Sequence, residues 1–153
     1  MISQTIEYAL RAMIHLASIE RGATLNSETI AARTGAPKGY LSKILRDLVV
    51  AGLVTSQRGP SGGFMLSRAP SEISMLDVIN AVDPIRRITR CPLGNPDHLQ
   101  LCPLHRRMDN ALALLEREFG GTSLAEAIET GVKPGAQCRA LTVHAVRSGP
   151  RNP

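Results

Sequence analysis

The residues with the clearest chemical potential in this sequence are two cysteines and a histidine that lie close together. Ten residues separate Cys91 from Cys102, and His105 follows three positions later in the run Cys-Pro-Leu-His. Thiolates and neutral imidazoles are the side chains that bind zinc or an iron–sulfur cluster. The spacing therefore predicts a metal centre or a redox-active pair of thiols.

A structural zinc site or a cluster needs four ligands, and this run supplies three. His98, inside the loop, is one candidate for the fourth position, and a carboxylate from another part of a dimer is a second. The alternative without a metal is a free cysteine pair in a surface loop. His15 is expected to be packed or exposed rather than a ligand, and Cys138 to be uninvolved.

Three helices are predicted upstream of this loop. Apolar residues at helical spacing indicate one helix over 3–19, a second over 27–34 that ends at Gly35, and a third from Pro37 to Gly52. Only a tight glycine-containing turn separates the second helix from the third. That arrangement is typical of a helix-turn-helix, whose second helix enters the major groove of DNA.

A β-hairpin is predicted directly after the third helix. Residues 53–57 and 64–67 are β-prone runs on either side of a Gly- and Pro-rich turn. Helix, turn, helix and hairpin is the order of a winged helix. Arg58 lies at the hairpin tip, where a guanidinium suits the enhanced negative potential of a narrow minor groove. An ordinary surface hairpin is the alternative.

The start of the third helix carries polar residues away from its apolar face. Lys38 and Lys43 suit DNA phosphates, and Tyr40 suits a hydrogen bond or packing against a sugar. A solvated helix face without a partner is the alternative. The complete set of predicted DNA-contacting residues is Lys38, Tyr40, Ser42, Lys43, Arg58, Gly59, Pro60, Ser61 and Gly62.

The second half of the chain predicts a sensor loop followed by a dimerisation helix. A short helix over 74–82 precedes an irregular, Pro-containing stretch, and a helix over 104–119 carries an apolar seam of Met108, Leu112, Leu115 and Phe119. A last short helix covers 124–129. The predicted organisation is a winged-helix domain (1–83), a sensor loop (84–103), a dimerisation and terminal helix region (104–130), and a flexible basic tail (131–153).

Composition narrows the class of protein. The 153 residues suffice for one domain, and an aromatic content of 3% without tryptophan requires an aliphatic core. Residues 1–70 carry 8 basic and 4 acidic side chains, which suits a polyanionic partner. Without an apolar run of membrane-spanning length or a secretion signal, we expect a cytoplasmic protein with reduced thiols.

Catalysis is not expected from this sequence. The chain has no nucleophile–base–acid set, no phosphate-binding loop before a helix and no clustered carboxylates. A cysteine and a histidine alone are a poor case for a hydrolase, because nothing orients the imidazole. The fold class that follows is mainly α with a small β-hairpin, a winged helix-turn-helix joined to a long dimerisation helix.

Three stretches resemble the IscR/NsrR-type (BadM-like) winged-helix transcription regulators, over roughly residues 1–130. They are Glu-Tyr-Ala-Leu-Arg at 7–11, Gly-Tyr-Leu-Ser-Lys-Ile-Leu at 39–45, and Ala-Gly-Leu-Val-Thr-Ser-Gln-Arg-Gly-Pro-Ser-Gly-Gly-Phe at 51–64. The wing sequence is the most specific of the three. The resemblance implies a homodimer held by the helix at 104–119, bound to a near-palindromic DNA operator.

The resemblance also implies a cofactor, because many members carry a [2Fe–2S] or [4Fe–4S] cluster in the loop before that helix. Their usual pattern is three closely spaced cysteines, whereas this chain has Cys91 and Cys102 without a middle one. His105 matches a histidine ligand of the IscR branch, and Glu7 matches a carboxylate that other branches supply from the partner subunit. The implied [2Fe–2S] ligands are therefore Cys91, Cys102, His105 and Glu7 of the partner subunit.

The leading hypothesis is a cytoplasmic, dimeric DNA-binding repressor that is gated by a [2Fe–2S] cluster and senses redox state, nitric oxide or iron–sulfur status. Within this class the alternatives are a zinc site, a Cys91–Cys102 thiol–disulfide switch, or a regulator without a cofactor. From another class, a protein-interaction module that acts through a partner remains open.

Overall fold

The structure is a computed structural model that describes residues 2–92, 94 and 100–129. The predicted tail, His98 and Cys138 lie outside these residues. The elements, in chain order, are α1 (Gln4–Ala17), α2 (Ser27–Thr34), α3 (Lys38–Val50), β1 (Val54–Gln57), β2 (Gly63–Leu66), a short 3-10 helix (Pro70–Glu72), α4 (Met75–Val82), α5 (Pro103–Gly120) and α6 (Leu124–Glu129). The predicted fold class, mainly helical with one hairpin, is confirmed.

The core is aliphatic, as the composition requires. Helices α1, α2, α3 and α4 contribute apolar side chains that are almost fully buried, among them Met13, Ile30, Leu41, Leu48 and Val78. The buried positions of α3 recur every three to four residues, so one face of this helix packs and the other is left to solvent. The helix-turn-helix is thereby held against α1 with its second helix on the surface.

Local sequence explains where the helices begin. Ser3 and Ser74 accept hydrogen bonds from Ile6 and Asp77 backbone amides and so cap α1 and α4, which is why these helices start one residue after the predicted bounds. Helix α1 also ends at Ala17, two residues before the predicted end. The 3-10 helix was not predicted, because Pro70 at its start gives only a one-turn signal.

The hairpin pairs β1 with β2 in antiparallel register, with Val54 opposite Leu66 and Gln57 opposite Gly63. A third segment joins the sheet. The backbone amide of Leu25 donates to the Phe64 carbonyl at 3.0 Å, and the Phe64 amide donates to the Leu25 carbonyl at 2.8 Å. The residues before α2 therefore support the hairpin, a contact that the sequence pattern did not reveal.

Helix α5 leaves the helical core, and the chain then returns to it. No residue of α5 is buried. The helix that packs against it is α4. The two helices approach closely at Gly120, where an added Cβ would lie 3.3 Å from the Leu76 side chain. After α5, the Leu124 amide donates to the Ile73 carbonyl at 2.9 Å, and the Leu124 side chain is fully buried. No helix within the described residues is both long and apolar enough to cross a membrane.

His15 makes the stability of this fold sensitive to pH. Its Nε2 is buried without a hydrogen-bond partner among the described residues. Burial lowers the pKa of His15 below its usual 6.5; a backbone hydrogen bond with Arg33 opposes this, and the charges of Arg33 and Arg11 add to it. Because the folded protein resists this proton while the unfolded chain accepts it, the free energy of unfolding falls as pH drops below about 6.5.

We expect the melting temperature of the wild type to fall between pH 7.5 and pH 5.5, and the fall to shrink in His15→Gln. Thermal unfolding of both proteins at several pH values, followed by circular dichroism, measures the difference. An equal pH dependence in the two proteins would show that other groups control acid destabilisation.

Candidate DNA-binding surface and metal centre

The turn between α2 and α3 fixes the direction of α3. Gly35 caps α2 with φ of 72°, a left-handed conformation that glycine adopts without strain. The buried Thr34 hydroxyl donates to the Ile30 carbonyl at 2.8 Å and accepts from the Ala36 amide at 3.3 Å. Pro37 then precedes the first turn of α3. These contacts leave the polar face of α3 exposed.

The predicted DNA-contacting residues of α3 all lie on that exposed face. Lys38 forms a salt bridge of 2.8 Å with Glu28 of α2, and this contact lowers the pKa of Glu28. Ser42 donates its hydroxyl to the Lys38 carbonyl at 3.0 Å. Lys43 is exposed and has no salt bridge within the part of the chain that the structure describes. The contacts of these residues with DNA stay a prediction.

Tyr40 has contacts that the sequence did not suggest. Its hydroxyl forms a short hydrogen bond with the Thr5 hydroxyl, and its ring meets the Tyr8 ring edge-on with centroids 6.0 Å apart. The side chain is nevertheless 40% exposed. Tyr40 therefore connects the start of α3 to the start of α1 and still presents an edge to solvent.

The tip of the hairpin is shaped by its backbone. Gly59 has φ of 112°, and the Gly62 amide donates to the Gly59 carbonyl at 2.9 Å. A side-chain carbon at Gly62 would lie 2.4 Å from the Gln57 carbonyl oxygen, so the turn is closed to larger residues there. Arg58, Pro60 and Ser61 are exposed. The turn thus presents the predicted wing residues outward on a fixed loop.

Thr24 adds a second support to the wing. Its hydroxyl donates to the Ser61 carbonyl at 3.0 Å. Together with the bridge between Leu25 and Phe64, this bond holds the wing against the segment that leads into α2. The sequence carries no signal for either contact, because Thr24 and Ser61 are 37 positions apart and neither belongs to a recognisable motif.

The structure brings Cys91, Cys102 and His105 together. The Nδ1 of His105 lies 3.3 Å from the Cys102 sulfur and 3.8 Å from the Cys91 sulfur. Cys102 is the N-cap of α5 and Pro103 is its first residue, so His105 falls in the first helical turn on the same side as the cysteine. All three side chains are partly buried.

These distances resemble those between neighbouring ligands of one metal ion. With Zn–S bonds of about 2.3 Å and Zn–N bonds of about 2.0 Å, a tetrahedral site places sulfur and nitrogen about 3.5 Å apart. Within the described residues, however, no group of three or more His, Cys, Asp or Glu side chains is arranged to hold a metal ion. One chain therefore brings both sulfurs close to the His105 imidazole without forming a complete four-ligand site among its described residues.

Glu7 lies in the first turn of α1 and is about half exposed. It accepts hydrogen bonds from Nε of Arg11 at 2.9 Å and Nη2 at 2.8 Å, and Nη1 of Arg11 donates to the Thr34 carbonyl at 3.3 Å. The single chain therefore pairs Glu7 with a cation, and a carboxylate ligand of another subunit would have to exchange that partner. Its role toward a metal stays a prediction.

Arg87 binds two carboxylates of α5, a set that no sequence motif singles out. Its Nε and Nη2 donate to the two oxygens of Asp109, both at 2.7 Å, and its Nη1 donates to Glu116 at 3.1 Å. The backbone amide of Ile88 also donates to Asp109 at 2.9 Å. This cluster, the Arg87–Asp109–Glu116 clamp, lowers the pKa of Asp109 chiefly through the hydrogen bonds from Arg87.

Helix α5 exposes an apolar stripe. Leu104, Met108 and Leu115 are 64%, 48% and 39% exposed and lie on one side of the helix, with Leu114 beside them at 59%. The predicted seam also contained Leu112 and Phe119, which are half-buried in the single chain. The stripe is therefore rotated from the predicted seam toward Leu104.

Comparison with known proteins decides the family. The profile of the Rrf2 family, described as iron-dependent transcriptional regulators, matches residues 2–130. The chain belongs to the Rrf2 family. Its resemblance to the IscR/NsrR-type regulators is thus confirmed, and so is the expectation that it is not an enzyme.

Three relatives of this Rrf2 chain illustrate the likeness. An Rrf2-like HTH-type transcriptional regulator of Rhodobacter capsulatus is 43% identical over 86 residues, which are 54% of this chain and 57% of the relative. The matched stretch is thus under two thirds of that relative. IscR of T. potens has a TM-score of 0.73 at 23% identity, covering 90% and 92% of the two chains. The oxidised form of Staphylococcus aureus CymR has a TM-score of 0.64 at 29% identity, covering 84% and 96%.

Membership of the Rrf2 family assigns a general role to the winged helix. The family to which the chain belongs is one of transcriptional regulators, and the winged-helix fold predicted from the order of its elements is confirmed.

Proposed function

We propose that this Rrf2 protein is a homodimeric repressor that binds a near-palindromic operator and is gated by a metal centre. The proposed cofactor is a [2Fe–2S] cluster held by Cys91, Cys102, His105 and Glu7 of the partner subunit. In α3 and the wing, the proposed DNA contacts are Lys38, Tyr40, Ser42, Lys43, Arg58, Gly59, Pro60, Ser61 and Gly62. Bound there, the cluster would supply one-electron redox chemistry and reactivity toward nitric oxide.

The observation that carries the cofactor proposal is the approach of both thiols to one imidazole nitrogen, at 3.3 and 3.8 Å. Two soft sulfur donors and a histidine nitrogen suit iron or zinc and do not suit magnesium or calcium. A fourth ligand is needed, and an acidic side chain from another subunit supplies it without a further cysteine. Glu7 is exposed and acidic, which is the chemistry that this role needs.

The position of the site supports gating. Cys102 and His105 belong to the start of α5, the helix whose apolar stripe we assign to the dimer interface. A ligand from the partner would tie the sensor site to the relative placement of the two protomers. Because two half-sites lie about one helical turn of DNA apart, a small change of that placement alters operator affinity.

Anaerobic purification tests the cluster directly. We expect a coloured protein with visible absorption, iron and acid-labile sulfide, and loss of all three in Cys102→Ser. Cys138→Ser is the matched control, because it removes the third cysteine and should keep the colour. Protein that stays colourless, iron-free and sulfide-free, even after anaerobic reconstitution, would rule out the cluster.

The effect of the cluster on DNA binding needs an operator. DNA selected by the protein from a random-sequence pool supplies one, and its affinity can then be measured for the cluster-loaded and cluster-free forms at one salt concentration. We expect the two forms to differ in affinity. Equal affinities would separate cluster binding from repression and contradict the gating.

A thiol–disulfide switch is the second candidate, because the same approach to His105 also brings the two sulfurs near each other. Peroxide would take two electrons and two protons from the two thiols, forming one disulfide and two waters. Mass spectrometry of metal-free protein after mild peroxide would reveal a peptide pair joined through Cys91 and Cys102. Thiols that are modified separately and never joined would exclude this switch.

A further inference from the structure

The segment that carries Cys91 to the sensor site contains no helix or strand. Residues 83–92 run from the end of α4 along α5. Within the described residues, the hydrogen bonds that connect this segment to α5 come from Arg87, Ile88 and Cys91. The first two of these residues bind the same carboxylate, Asp109. Asp109 therefore accepts three of the five hydrogen bonds described between this segment and α5.

The contacts follow a register. Arg87 meets Asp109, and four residues further along the segment Cys91 meets His105, which is one helical turn before Asp109 on α5. Four residues of chain can extend over roughly 13 Å, whereas one turn rises only about 6 Å. The chain from Arg87 to Cys91 is therefore longer than the distance along α5 that it has to span. The length of this segment alone does not fix the position of the Cys91 sulfur beside His105.

The clamp has the geometry of a strong polar contact. Arg87 presents Nε and Nη2 as a fork to both oxygens of Asp109 and turns Nη1 to Glu116, so each guanidinium nitrogen is used. Paired Arg–carboxylate bonds of this kind fix orientation as well as distance. Surface ion pairs are usually weak, but a bidentate pair within a network is the exception.

We propose that the Arg87–Asp109–Glu116 clamp is a positioning device that sets the approach of Cys91 to His105 and Cys102, and thereby the metal affinity of the sensor site. The assignment of that site rests on the function proposed above. The hydrogen bonds and salt bridges described for the clamp residues do not include the two sulfurs or the imidazole. They act by fixing the position of residues 83–92 along α5, so that Cys91 lies beside His105.

The test measures thiol placement in metal-free protein, with Cys138→Ser in every variant. Equilibration with reduced and oxidised dithiothreitol gives the equilibrium constant for joining Cys91 to Cys102, as the reagent is reduced and the protein oxidised. We expect Arg87→Gln and Asp109→Asn to lower this constant about tenfold, in line with outer partners that orient metal ligands. Arg87→Lys, which keeps the charge and loses the fork, should lie between.

Arg86→Gln and Glu118→Gln are the matched controls. Arg86→Gln removes a positive charge, as Arg87→Gln does, and Glu118→Gln removes a negative charge, as Asp109→Asn does. Both residues are exposed, and both substitutions leave the clamp intact. Both should keep the wild-type constant, and thermal unfolding confirms that every variant is folded. Clamp variants with wild-type constants, or a wild type whose two thiols do not join, would overturn the proposal.

A second readout uses cobalt(II) alone as the metal probe, followed by its thiolate charge-transfer absorption. We expect the clamp variants to bind cobalt(II) roughly ten- to a hundredfold more weakly than the controls. A wild type that binds neither cobalt(II) nor iron would defeat the proposed metal centre. The thiol–disulfide equilibrium would still test whether the clamp positions Cys91. Failure of the metal centre and failure of the clamp proposal are therefore distinguishable.

Discussion

Replacing Leu115 with glutamate is expected to split the proposed dimer and weaken operator binding by roughly a hundredfold or more, because linked half-sites gain about that much from avidity. Leu115 is the last residue of the apolar stripe of α5, which also contains Leu104 and Met108. Helix α5 has 18 residues, none of them buried in the single chain. A helix of about 27 Å with an open apolar side needs a partner surface.

Light scattering after size-exclusion chromatography measures the mass of Leu115→Glu, and fluorescence anisotropy measures its operator affinity. Asn110→Glu is the matched control, because it adds the same charge to an exposed position away from the stripe. The control should remain a dimer. A Leu115→Glu protein that is still dimeric would place the interface on another surface.

Replacing Arg58 with alanine is expected to weaken operator binding about ten- to a hundredfold without unfolding the protein, as loss of one specific arginine contact costs about 1–3 kcal/mol. Arg58 is exposed at the tip of a turn that Gly59, Gly62 and the Thr24–Ser61 bond hold in place. Its side chain forms no salt bridge within the described residues, so it is available to DNA.

Arg68→Ala is the control for Arg58→Ala. Arg68 is also exposed, but it follows β2 and its side chain turns back toward the Glu72 carbonyl at 3.5 Å. The dependence of affinity on salt should decrease in Arg58→Ala if the lost contact is to the DNA backbone. If Arg58→Ala leaves operator affinity unchanged, Arg58 of the wing does not contribute to DNA binding, and regulation through a protein partner is favoured.

Sequence patterns predicted the parts of this fold that depend on local chemistry. Gly35 and Pro37 mark the turn before α3 because one needs a left-handed conformation and the other suits the start of a helix. The short spacing from Cys102 to His105 places both at one helix end. Such features depend on a few consecutive residues, which is why the winged-helix order and the three candidate ligands could be predicted.

Contacts between distant residues were not predictable in the same way. Arg87 and Asp109 are 22 positions apart, and in the sequence they resemble any exposed arginine and aspartate. Likewise, Leu25 gives no strand signal of its own, since it forms only an isolated bridge to Phe64. Which face of α5 is exposed also depends on its packing against α4. A prediction from apolar spacing alone therefore included Leu112 and Phe119, which are half-buried, in the seam.

The return of the chain after α5 has a consequence for modularity. Leu124, which follows α5, fills the core of the winged helix, and the Leu124 and Met75 amides donate to the Ile73 and Thr122 carbonyls, both at 2.9 Å. A fragment that ends near residue 83 lacks this side chain and keeps a hole in its core. The winged helix and α5 are thus parts of one folded unit, so the proposed DNA-binding and dimerisation roles cannot be transplanted separately.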